Sequence, residues 1–207
     1  MQVLMLNGSP HPKGCTYTAL STVAEQLQKY DIATEILQLG TKPVRGCIAC
    51  QKCVKTGYCV FNDDGVNECI DKLKAADGFV VGSPTYYAGP NGALCAFLDR
   101  LFFCKSAPYA YKPAACVVSC RRGGASASFD RLNKCFTIIR MPVVSSQYWN
   151  SVHGNTPEEV LKDAEGLQVM RALGDNMAWL LRSIEKGREH GVALPVAEPW
   201  IATNFIR

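Results

Sequence analysis

The chain opens with the stretch Val3-Leu4-Met5-Leu6-Asn7-Gly8-Ser9-Pro10-His11-Pro12-Lys13-Gly14-Cys15-Thr16-Tyr17-Thr18. Its apolar start predicts a short buried strand, and the Gly-, Ser- and Thr-containing segment after it predicts a loop that runs into a helix. Such a loop presents unpaired backbone N–H groups and the positive end of a helix dipole to an anion. The hydroxyls of Ser9, Thr16 and Thr18 can add neutral donors. The stretch therefore predicts a phosphate-binding loop, and the alternative is a loop that only connects a strand to a helix.

The spacing of the glycines narrows the class of phosphate ligand. A nucleoside-triphosphate loop needs two glycines with four residues between them, followed by Lys and then Ser or Thr. Here five residues separate Gly8 from Gly14, and Cys15 stands at the position of the lysine. The GxGxxG fingerprint of dinucleotide-binding loops is absent as well. The ligand that remains is a monophosphate, such as that of FMN, held by N–H and hydroxyl groups alone.

Composition predicts a single domain. The chain has 207 residues, of which 48% are apolar, and this is enough for one α/β domain over residues 1–207 but too little for two. A net charge of +4 with 19% charged residues gives no field that would collect nucleic acid. No apolar run is long enough to span a bilayer, and the N-terminus is typical of a strand and not of a signal peptide. We expect no nucleic-acid partner and no membrane association.

The eleven cysteines are many, but they fall below the density of a disulfide scaffold. Their number is odd, and most of them lie in apolar or helical segments, where a free cysteine behaves as a small hydrophobe. A reducing cytoplasm is the compartment that fits this usage.

Apolar runs alternate with amphipathic stretches, which is typical of a parallel sheet with helices on both faces. We predict strands at about 3–6, 34–37, 78–82, 115–119 and 142–145. We predict helices at about 16–29, 66–75, 92–102 and 126–139, and a long one from Pro157. Five strands with a phosphate loop after the first predict a flavodoxin-like, doubly wound sheet in the order 2-1-3-4-5, with the ligand at its carboxyl edge. Residues 194–207 predict an extended tail.

The long helix has a marked start and an unusual interior. Thr156 is the predicted cap, Pro157 occupies the first helical position, and Glu159 completes a capping box. The interior contains Gly166 and Gly174, each of which costs about 1 kcal/mol relative to alanine. These glycines are either simply tolerated or mark close helix packing, including packing across a subunit interface.

A second loop follows the third predicted strand, with the sequence Gly82-Ser83-Pro84-Thr85-Tyr86-Tyr87-Ala88-Gly89-Pro90-Asn91-Gly92. A flavin ring needs a flat slot with aromatic or apolar walls and backbone donors, and Pro84 to Tyr87 followed by the glycine turn at Gly89 can supply both. Alternatively, the turn is filler and the two tyrosines cap the core. The carboxyl ends of parallel strands share one edge, so we expect this loop to face the first.

Three segments together resemble one family, the NADPH-dependent FMN reductases. They are Asn7-Gly8-Ser9-Pro10 with Gly14 and Thr16, then Gly82-Ser83-Pro84-Thr85-Tyr86-Tyr87, and then Phe97-Leu98-Asp99-Arg100. The resemblance covers most of the chain and implies that the phosphate of FMN is held by Ser9, Gly14, Cys15 and Thr16. It implies that the isoalloxazine ring is held by Pro84, Thr85, Tyr86 and Tyr87. Cys15 departs from the small polar residue that related loops often carry, and His11 in the same loop either contacts the phosphate or is solvated.

A third loop is expected after the fourth strand, where the sequence reads Ser119-Cys120-Arg121-Arg122-Gly123-Gly124-Ala125-Ser126. Gly123 and Gly124 would allow the backbone from Ser119 onward to approach the edge of the ring. Arg121 or Arg122 could pair with a phosphate of NADPH or with the negative charge of a reduced flavin. The alternatives for either arginine are a salt bridge at a subunit interface and a solvated turn.

Four cysteines lie close together after the second predicted strand, at Cys47, Cys50, Cys53 and Cys59, with two, two and five residues between them. Thiolates at this spacing can converge on one [4Fe–4S] cluster. Structural zinc more often takes two CxxC pairs held well apart, so zinc is the weaker metal hypothesis. Four unmetallated thiols are the remaining alternative. The segment resembles the compact cluster motif of the iron–sulfur flavoproteins, a branch of the same flavin fold.

The leading hypothesis is an FMN-dependent oxidoreductase that passes reducing equivalents from NAD(P)H to a small oxidised acceptor, namely a quinone, a nitro or azo compound, or free flavin. Because the flavin does the redox work, no catalytic acid or base need be visible, and Tyr86, Tyr87 and Trp149 are candidates for shaping the acceptor pocket. The alternative is an iron–sulfur flavoprotein that carries electrons between protein partners. A thiol or zinc sensor without flavin ranks third. The family resemblance also implies a homodimer or homotetramer.

Overall fold

A computed structural model of the protein describes residues 1–104, 107–199, 201–203 and 205. Its centre is a parallel sheet in the order β2-β1-β3-β5-β6, and a two-residue strand, β4, pairs antiparallel with β3. The strands are β1 (Gln2–Asn7), β2 (Ala33–Gln38), β3 (Gly78–Tyr86), β4 (Gly89–Pro90), β5 (Ala114–Cys120) and β6 (Ser151–His153). The predicted doubly wound sheet is confirmed, since its five parallel strands follow the flavodoxin-like order.

Helices cover both faces of the sheet. They are α1 (Cys15–Gln28), α2 (Lys52–Thr56), α3 (Val66–Ala75), α4 (Gly92–Phe103), α5 (Ala125–Thr137), α6 (Pro157–Val160) and α7 (Ala164–Glu189), with a 3-10 turn at Ala107–Tyr109. Along β1, Val3 and Met5 belong to the core beneath α1 and α7, whereas Leu4 and Leu6 belong to the core beneath α3, α4 and α5. The strand is therefore apolar throughout, as expected for a strand buried on both faces.

The predicted fifth strand at 142–145 is wrong in position. Val143 forms only an isolated bridge to Ala114, and the chain then leaves the sheet and returns as β6 beside the end of β5. Between them, the buried side chain of Asn150 donates to the carbonyl of Cys116 at 3.1 Å. A polar residue thus completes this part of the sheet, so the apolar pattern that predicts strands does not extend to the true strand.

The predicted long helix from Pro157 is divided in two. Thr156 caps α6 as predicted, accepting from the amide of Glu159 at 3.3 Å, but the Glu159 carboxylate accepts from Asn155, one residue before the cap. The helix ends at Val160 and restarts at Ala164, because Asp163 Oδ1 accepts from the amide of Gly166 at 2.9 Å and caps α7. Asp163, which lies within the single helix predicted from Pro157, is the sequence signal for the interruption, because aspartate is a preferred N-cap residue.

Gly174 marks close packing of α7 against α1 within the chain. A Cβ added there would lie 2.7 Å from Gln26 Cβ and 3.3 Å from the carbonyl oxygen of Val23. Farther along the same helix, a Cβ added at Gly187 would lie 3.6 Å from its nearest neighbour, Val192 Cβ. Overpacking a well-packed interface costs about 1–3 kcal/mol, whereas alanine in an open helical position gains up to about 1 kcal/mol over glycine.

We therefore expect Gly174→Ala to lower the free energy of unfolding by about 1–3 kcal/mol and Gly187→Ala to leave it unchanged or to raise it by up to about 1 kcal/mol. Urea unfolding followed by circular dichroism measures both values. Equal effects of the two substitutions would contradict the assignment of Gly174 to a helix contact.

The end of the chain follows α7. Residues 192–199 carry no helix or strand, and Val196 is fully exposed. Of the predicted tail at 194–207, residues 200, 204, 206 and 207 lie outside the described part of the chain. In the residues that the structure describes, none of the helices combines the length and the apolar character needed to cross a membrane.

Candidate functional site

A cleft of about 650 Å³ opens at the carboxyl edge of the sheet. It lies where β1 and β3 are neighbours and the connections run to opposite sides, which is the switch point at which open α/β sheets bind ligands. Its lining consists of Ser9, His11, Lys13, Gly14, Cys15, Thr16, Pro84, Thr85, Tyr86, Ser119, Cys120, Arg121, Gly154, Asn155, Thr156 and Pro157. The structure thus brings together all three predicted loops.

Hydrogen bonds fix the loop after β1. The amide of Gly8 donates to the carbonyl of Gly82 at 2.8 Å, which ties the first loop to the second. Asn7 Oδ1 accepts from the amide of Ser9, and Gln38 Nε2 donates to the Ser9 carbonyl at 2.6 Å. A Cβ added at Gly8 would lie 2.8 Å from the Gly82 carbonyl oxygen, so the close approach of the two loops requires glycine here.

The start of α1 faces the cleft without a cap. Gly14 is the N-cap residue and supplies no side-chain hydrogen bond, so the first amides of the helix remain available to a ligand. Thr16 Oγ1 and Ser119 Oγ are 2.8 Å apart and share a hydrogen bond across the cleft floor. An uncapped helix start with hydroxyls beside it is suited to an anion.

Cys15 is the first residue of α1, and its thiol donates to the carbonyl of Gly154 at 3.7 Å. Partial burial is the main cause that raises the pKa of Cys15 above its ordinary value, and Glu159 and Glu158 add to the effect. The thiol is therefore neutral near pH 7 and adds no negative charge to the cleft. Lys13 and Arg121 contribute positive charge to the lining, which contains no carboxylate among its described residues.

The β3–β4 hairpin forms one wall of the cleft. Tyr86 lines it, whereas Tyr87 at the tip is fully exposed and, like Ala88, has a positive φ (49° and 56°). Trp149 and Gly89 are not part of the lining, and Trp149 packs against Tyr148 with ring centroids 4.9 Å apart. Of the three predicted acceptor-pocket residues, Tyr86, Tyr87 and Trp149, only Tyr86 lines the cleft.

Gly124 has a role that the sequence did not indicate. Its φ is +89°, and a Cβ added there would lie 2.7 Å from Ala88 Cα. Gly124 therefore lets the loop after β5 pack against the tip of the β3–β4 hairpin. Gly123 and Gly124 are not in the cleft lining, whereas Ser119 and Arg121 are.

Several lining residues were not predicted, namely Lys13, Cys120, Gly154, Asn155, Thr156 and Pro157. The last four follow β6. They were not predicted because a fifth strand at 142–145 places the loop at the carboxyl edge several residues before them. Lys13 lies in the predicted phosphate loop, and its positive charge next to Gly14 is a sequence signal for an anion-binding role.

The four motif cysteines surround a second, smaller cavity. It is lined by Cys47, Ile48, Cys50, Gln51, Cys53, Cys59, Val60, Phe61, Arg100, Phe103 and Cys104. Cys53, at the start of α2, is buried, whereas Cys47 and Cys50 are exposed on the coil before that helix. The enclosed space is about 20 Å³, so a cluster would need the exposed side of the loop to move outward.

The donor chemistry of this cavity fits an iron–sulfur cluster. Two of the thiols already accept hydrogen bonds, Cys47 from the amide of Ala49 at 3.4 Å and Cys59 from Arg100 Nε at 3.1 Å. Within the described ranges, no three His, Cys, Asp or Glu side chains are gathered around one metal-ion position. A zinc ion needs ligands that converge on a single point, whereas a cluster spreads its thiolate ligands over several iron atoms.

The cleft and the cysteine cavity lie at opposite ends of α4. At the helix start, Asn91 Nδ2 donates to the carbonyl of Gly8 at 2.9 Å, and near the helix end Phe103 lines the cysteine cavity. A rise of about 1.5 Å per residue separates Gly92 from Phe103 by about 16 Å. The chain therefore carries two separate candidate redox sites.

Similar solved structures place the fold in the flavodoxin-like class. A flavodoxin from the domain Archaea superposes with a TM-score of 0.60 at 15% identity, covering 88% of this chain and 99% of its own. The family described as NADPH-dependent FMN reductase matches residues 1–156. The chain belongs to this family, which confirms the predicted resemblance, and it is an NAD(P)H-dependent oxidoreductase of the FMN reductase type.

Two curated relatives carry different names. An iron-sulfur flavoprotein of Methanocaldococcus jannaschii is 30% identical over 194 residues, which cover 90% of this chain and all of that protein. An NADPH azoreductase of a Bacillus species is 28% identical over 191 residues, which cover 90% of this chain and 89% of its own.

Proposed function

We propose that this chain is a two-site redox flavoprotein that passes electrons from NAD(P)H to a redox partner. FMN would occupy the cleft, and a [4Fe–4S] cluster would be bound by the segment from Cys47 to Cys59, here called the cysteine loop. The observation that carries the proposal is that Cys47, Cys50, Cys53 and Cys59 line one cavity although they are spread over thirteen residues of loop and helix. The likeness to an iron-sulfur flavoprotein over nearly the whole chain supports it.

In the cleft, the residues of the first loop would hold the phosphate of FMN. The free amides at the start of α1 and the hydroxyls of Ser9 and Thr16 would donate to its oxygens, and Lys13 would offset its charge. When bound, FMN supplies hydride and single-electron chemistry that side chains lack. Pro84 to Tyr86 would support the ring, and Arg121 at the open side would pair with an anionic group of the nicotinamide donor.

At the cysteine loop, the four thiolates would hold the cluster, and the cluster would supply one-electron transfer. Cys53 is held by α2, whose C-cap residue, Gly57, has a positive φ of 78°. Cys59 is fixed by Asn67, whose side chain accepts from the Cys59 amide at 2.8 Å and donates to its carbonyl at 3.0 Å. The outer pair, Cys47 and Cys50, is exposed, which suits contact with a protein partner.

A second candidate function uses the cleft alone. The cleft is open, Tyr86 lies on its wall and Arg121 on its rim, and an NADPH azoreductase is among the relatives. On this alternative, NAD(P)H reduces the flavin, and a quinone, a nitro or azo compound, or free flavin takes the electrons in the same cleft. The four cysteines are then structural or reactive thiols.

We also propose that the protein works as a homodimer or homotetramer in the reducing cytoplasm. All eleven cysteines are free thiols, which suits such a compartment. A groove of about 460 Å³ between α4 and α5, lined by both apolar and charged side chains, exposes Phe103 and Ile138, and a second copy could cover it. Analytical ultracentrifugation at several protein concentrations measures the assembly state, and a monomer at all of them would contradict this proposal.

The proposed function is tested on protein purified without oxygen. We expect a flavin spectrum with a broad shoulder, about one FMN, and iron and acid-labile sulfide in about equal amounts near four per chain. A two-banded flavin spectrum with no iron would favour the second candidate. A colourless protein that binds no added FMN would contradict both. NADPH consumption with a quinone or an azo dye, before and after iron chelation, then shows whether the cluster is needed for electron transfer.

A further inference from the structure

Arg100 is a buried charge beside the cysteine cavity. It lies on α4, its side chain is 1% exposed, and its partner Asp64 is 3% exposed. The guanidinium binds the carboxylate with both terminal nitrogens, Nη1 to Oδ2 and Nη2 to Oδ1. A buried charge is costly unless it is paired and fully hydrogen-bonded, so the placement calls for a function beyond packing.

The remaining donors of Arg100 reach both ends of the cysteine loop. Nη1 also donates to the carbonyl of Arg45 at 3.2 Å, two residues before the first motif cysteine, and Nη2 donates to the carbonyl of Phe61 at 3.3 Å, two residues after the last. The guanidinium lies 5.2 Å from the centre of the Phe61 ring. A single side chain thus closes the loop that holds the four thiols.

The last donor points at a predicted cluster ligand. Nε donates to Cys59 Sγ at 3.1 Å, whereas the hydrogen bond to Cys47 comes from a neutral backbone amide. Hydrogen bonds to the sulfurs and nearby charge are among the factors that set the reduction potential of an iron–sulfur cluster. A cationic donor at a ligating sulfur stabilises the more negative, reduced state.

We propose that Arg100 is a positioning residue that holds the cysteine loop closed and raises the reduction potential of the cluster through its hydrogen bond to Cys59, with Asp64 as a counter-charge that moderates this effect. This inference rests on the proposed function, because it requires a cluster on the loop. It makes two opposite predictions for the two partners of one ion pair.

The test is a redox titration of anaerobically purified variants, followed by absorbance and electron paramagnetic resonance. In Arg100→Gln we expect the equilibrium constant for one-electron reduction to fall about tenfold, which lowers the potential by about 59 mV. In Asp64→Asn we expect the constant to rise, because the charge of Arg100 is no longer balanced. Arg100→Lys keeps the charge but cannot make the forked contacts, so its potential should lie between those of Arg100→Gln and the wild type.

A matched control is available in the same chain. Arg131 also pairs with an aspartate, Asp99, at 3.2 Å and donates to a cysteine sulfur, Cys135, at 3.4 Å, but it does not line the cysteine cavity. Arg131→Gln should leave the cluster potential unchanged. A merely structural role for Arg100 predicts that both partner variants lose iron or stability without opposite potential shifts, and that result would overturn the inference. If Arg100→Gln does not fold, the Asp64→Asn variant tests the inference alone: a rise in its cluster potential supports the inference, and no rise overturns it.

Failure of the inference is distinguishable from failure of the proposed function. Wild-type protein that contains no iron would contradict both. Wild-type protein that contains a cluster, with potentials that are the same in Arg100→Gln, Asp64→Asn and the wild type, would contradict the inference alone.

Discussion

Cys15→Asp is expected to weaken FMN binding by about 100-fold or more, equivalent to about 2.7 kcal/mol. Cys15 is the first residue of α1 and lines the cleft, so the new carboxylate would stand where the free amides gather. Two like charges about 4 Å apart repel by about 4 kcal/mol at an effective dielectric constant near 20. Screening by solvent and by Lys13 reduces this to the expected value.

The same substitution should leave the protein without FMN as stable as the wild type or slightly more stable. An acidic residue in the first turn of a helix stabilises it by about 0.3–1 kcal/mol. A loss of FMN affinity together with an unchanged melting temperature of the apoprotein therefore identifies charge repulsion, because a damaged fold would lower both. Quenching of flavin fluorescence by apoprotein measures the affinity.

Cys15→Ser is the matched control. It keeps the size of the side chain and replaces a weak thiol donor with a hydroxyl, so the FMN dissociation constant should stay within about threefold of the wild type or improve, a change below about 1 kcal/mol. Wild-type affinity in Cys15→Asp would contradict the placement of the phosphate at the start of α1. Equal losses of FMN affinity in Cys15→Asp and Cys15→Ser would show that the thiol of Cys15 itself contributes to FMN binding.

The second large effect is expected at the cysteine loop, where Cys50→Ala should abolish cluster binding. Cys50 is exposed and belongs to neither core, so its removal should not disturb the fold. A compact cluster needs all its thiolate ligands, and we expect the iron content to fall below about one tenth of the wild-type value while FMN stays bound, since the two sites lie at opposite ends of α4.

Cys104→Ala provides the comparison for Cys50→Ala. Cys104 lines the same cavity and is buried, but it follows α4 and lies outside the spaced motif. The Cys104→Ala variant should therefore retain iron and sulfide at the wild-type ratio. Iron retained in Cys50→Ala and lost in Cys104→Ala would mean that the fifth thiol is a ligand and that the motif assignment is wrong. Iron, sulfide and FMN are measured on the same anaerobic samples.

The features that the sequence determined depend on local patterns. An apolar run such as Val3 to Leu6 is typical of a strand buried on both faces, and its glycine-containing continuation before a helix predicts the first strand and the phosphate loop. The predicted strand order rests on that loop together with the alternation of strands and helices along the whole chain. The four-cysteine spacing is equally local. The phosphate loop and the cysteine spacing need no knowledge of distant parts of the chain, because each lies within one short segment of consecutive residues.

Tertiary structure alone decided how distant segments meet. Asn150 completes the sheet through a hydrogen bond to Cys116, which moved the last strand and revealed Gly154 to Pro157 at the cleft. Gly124 packs closely against Ala88, and Arg100 donates to Cys59, 41 residues away, and to Arg45, 55 residues away. Each of these depends on partners far apart in sequence, and a polar side chain or a glycine shows its role only when the fold supplies the partner that satisfies it or the atom that would clash with a Cβ.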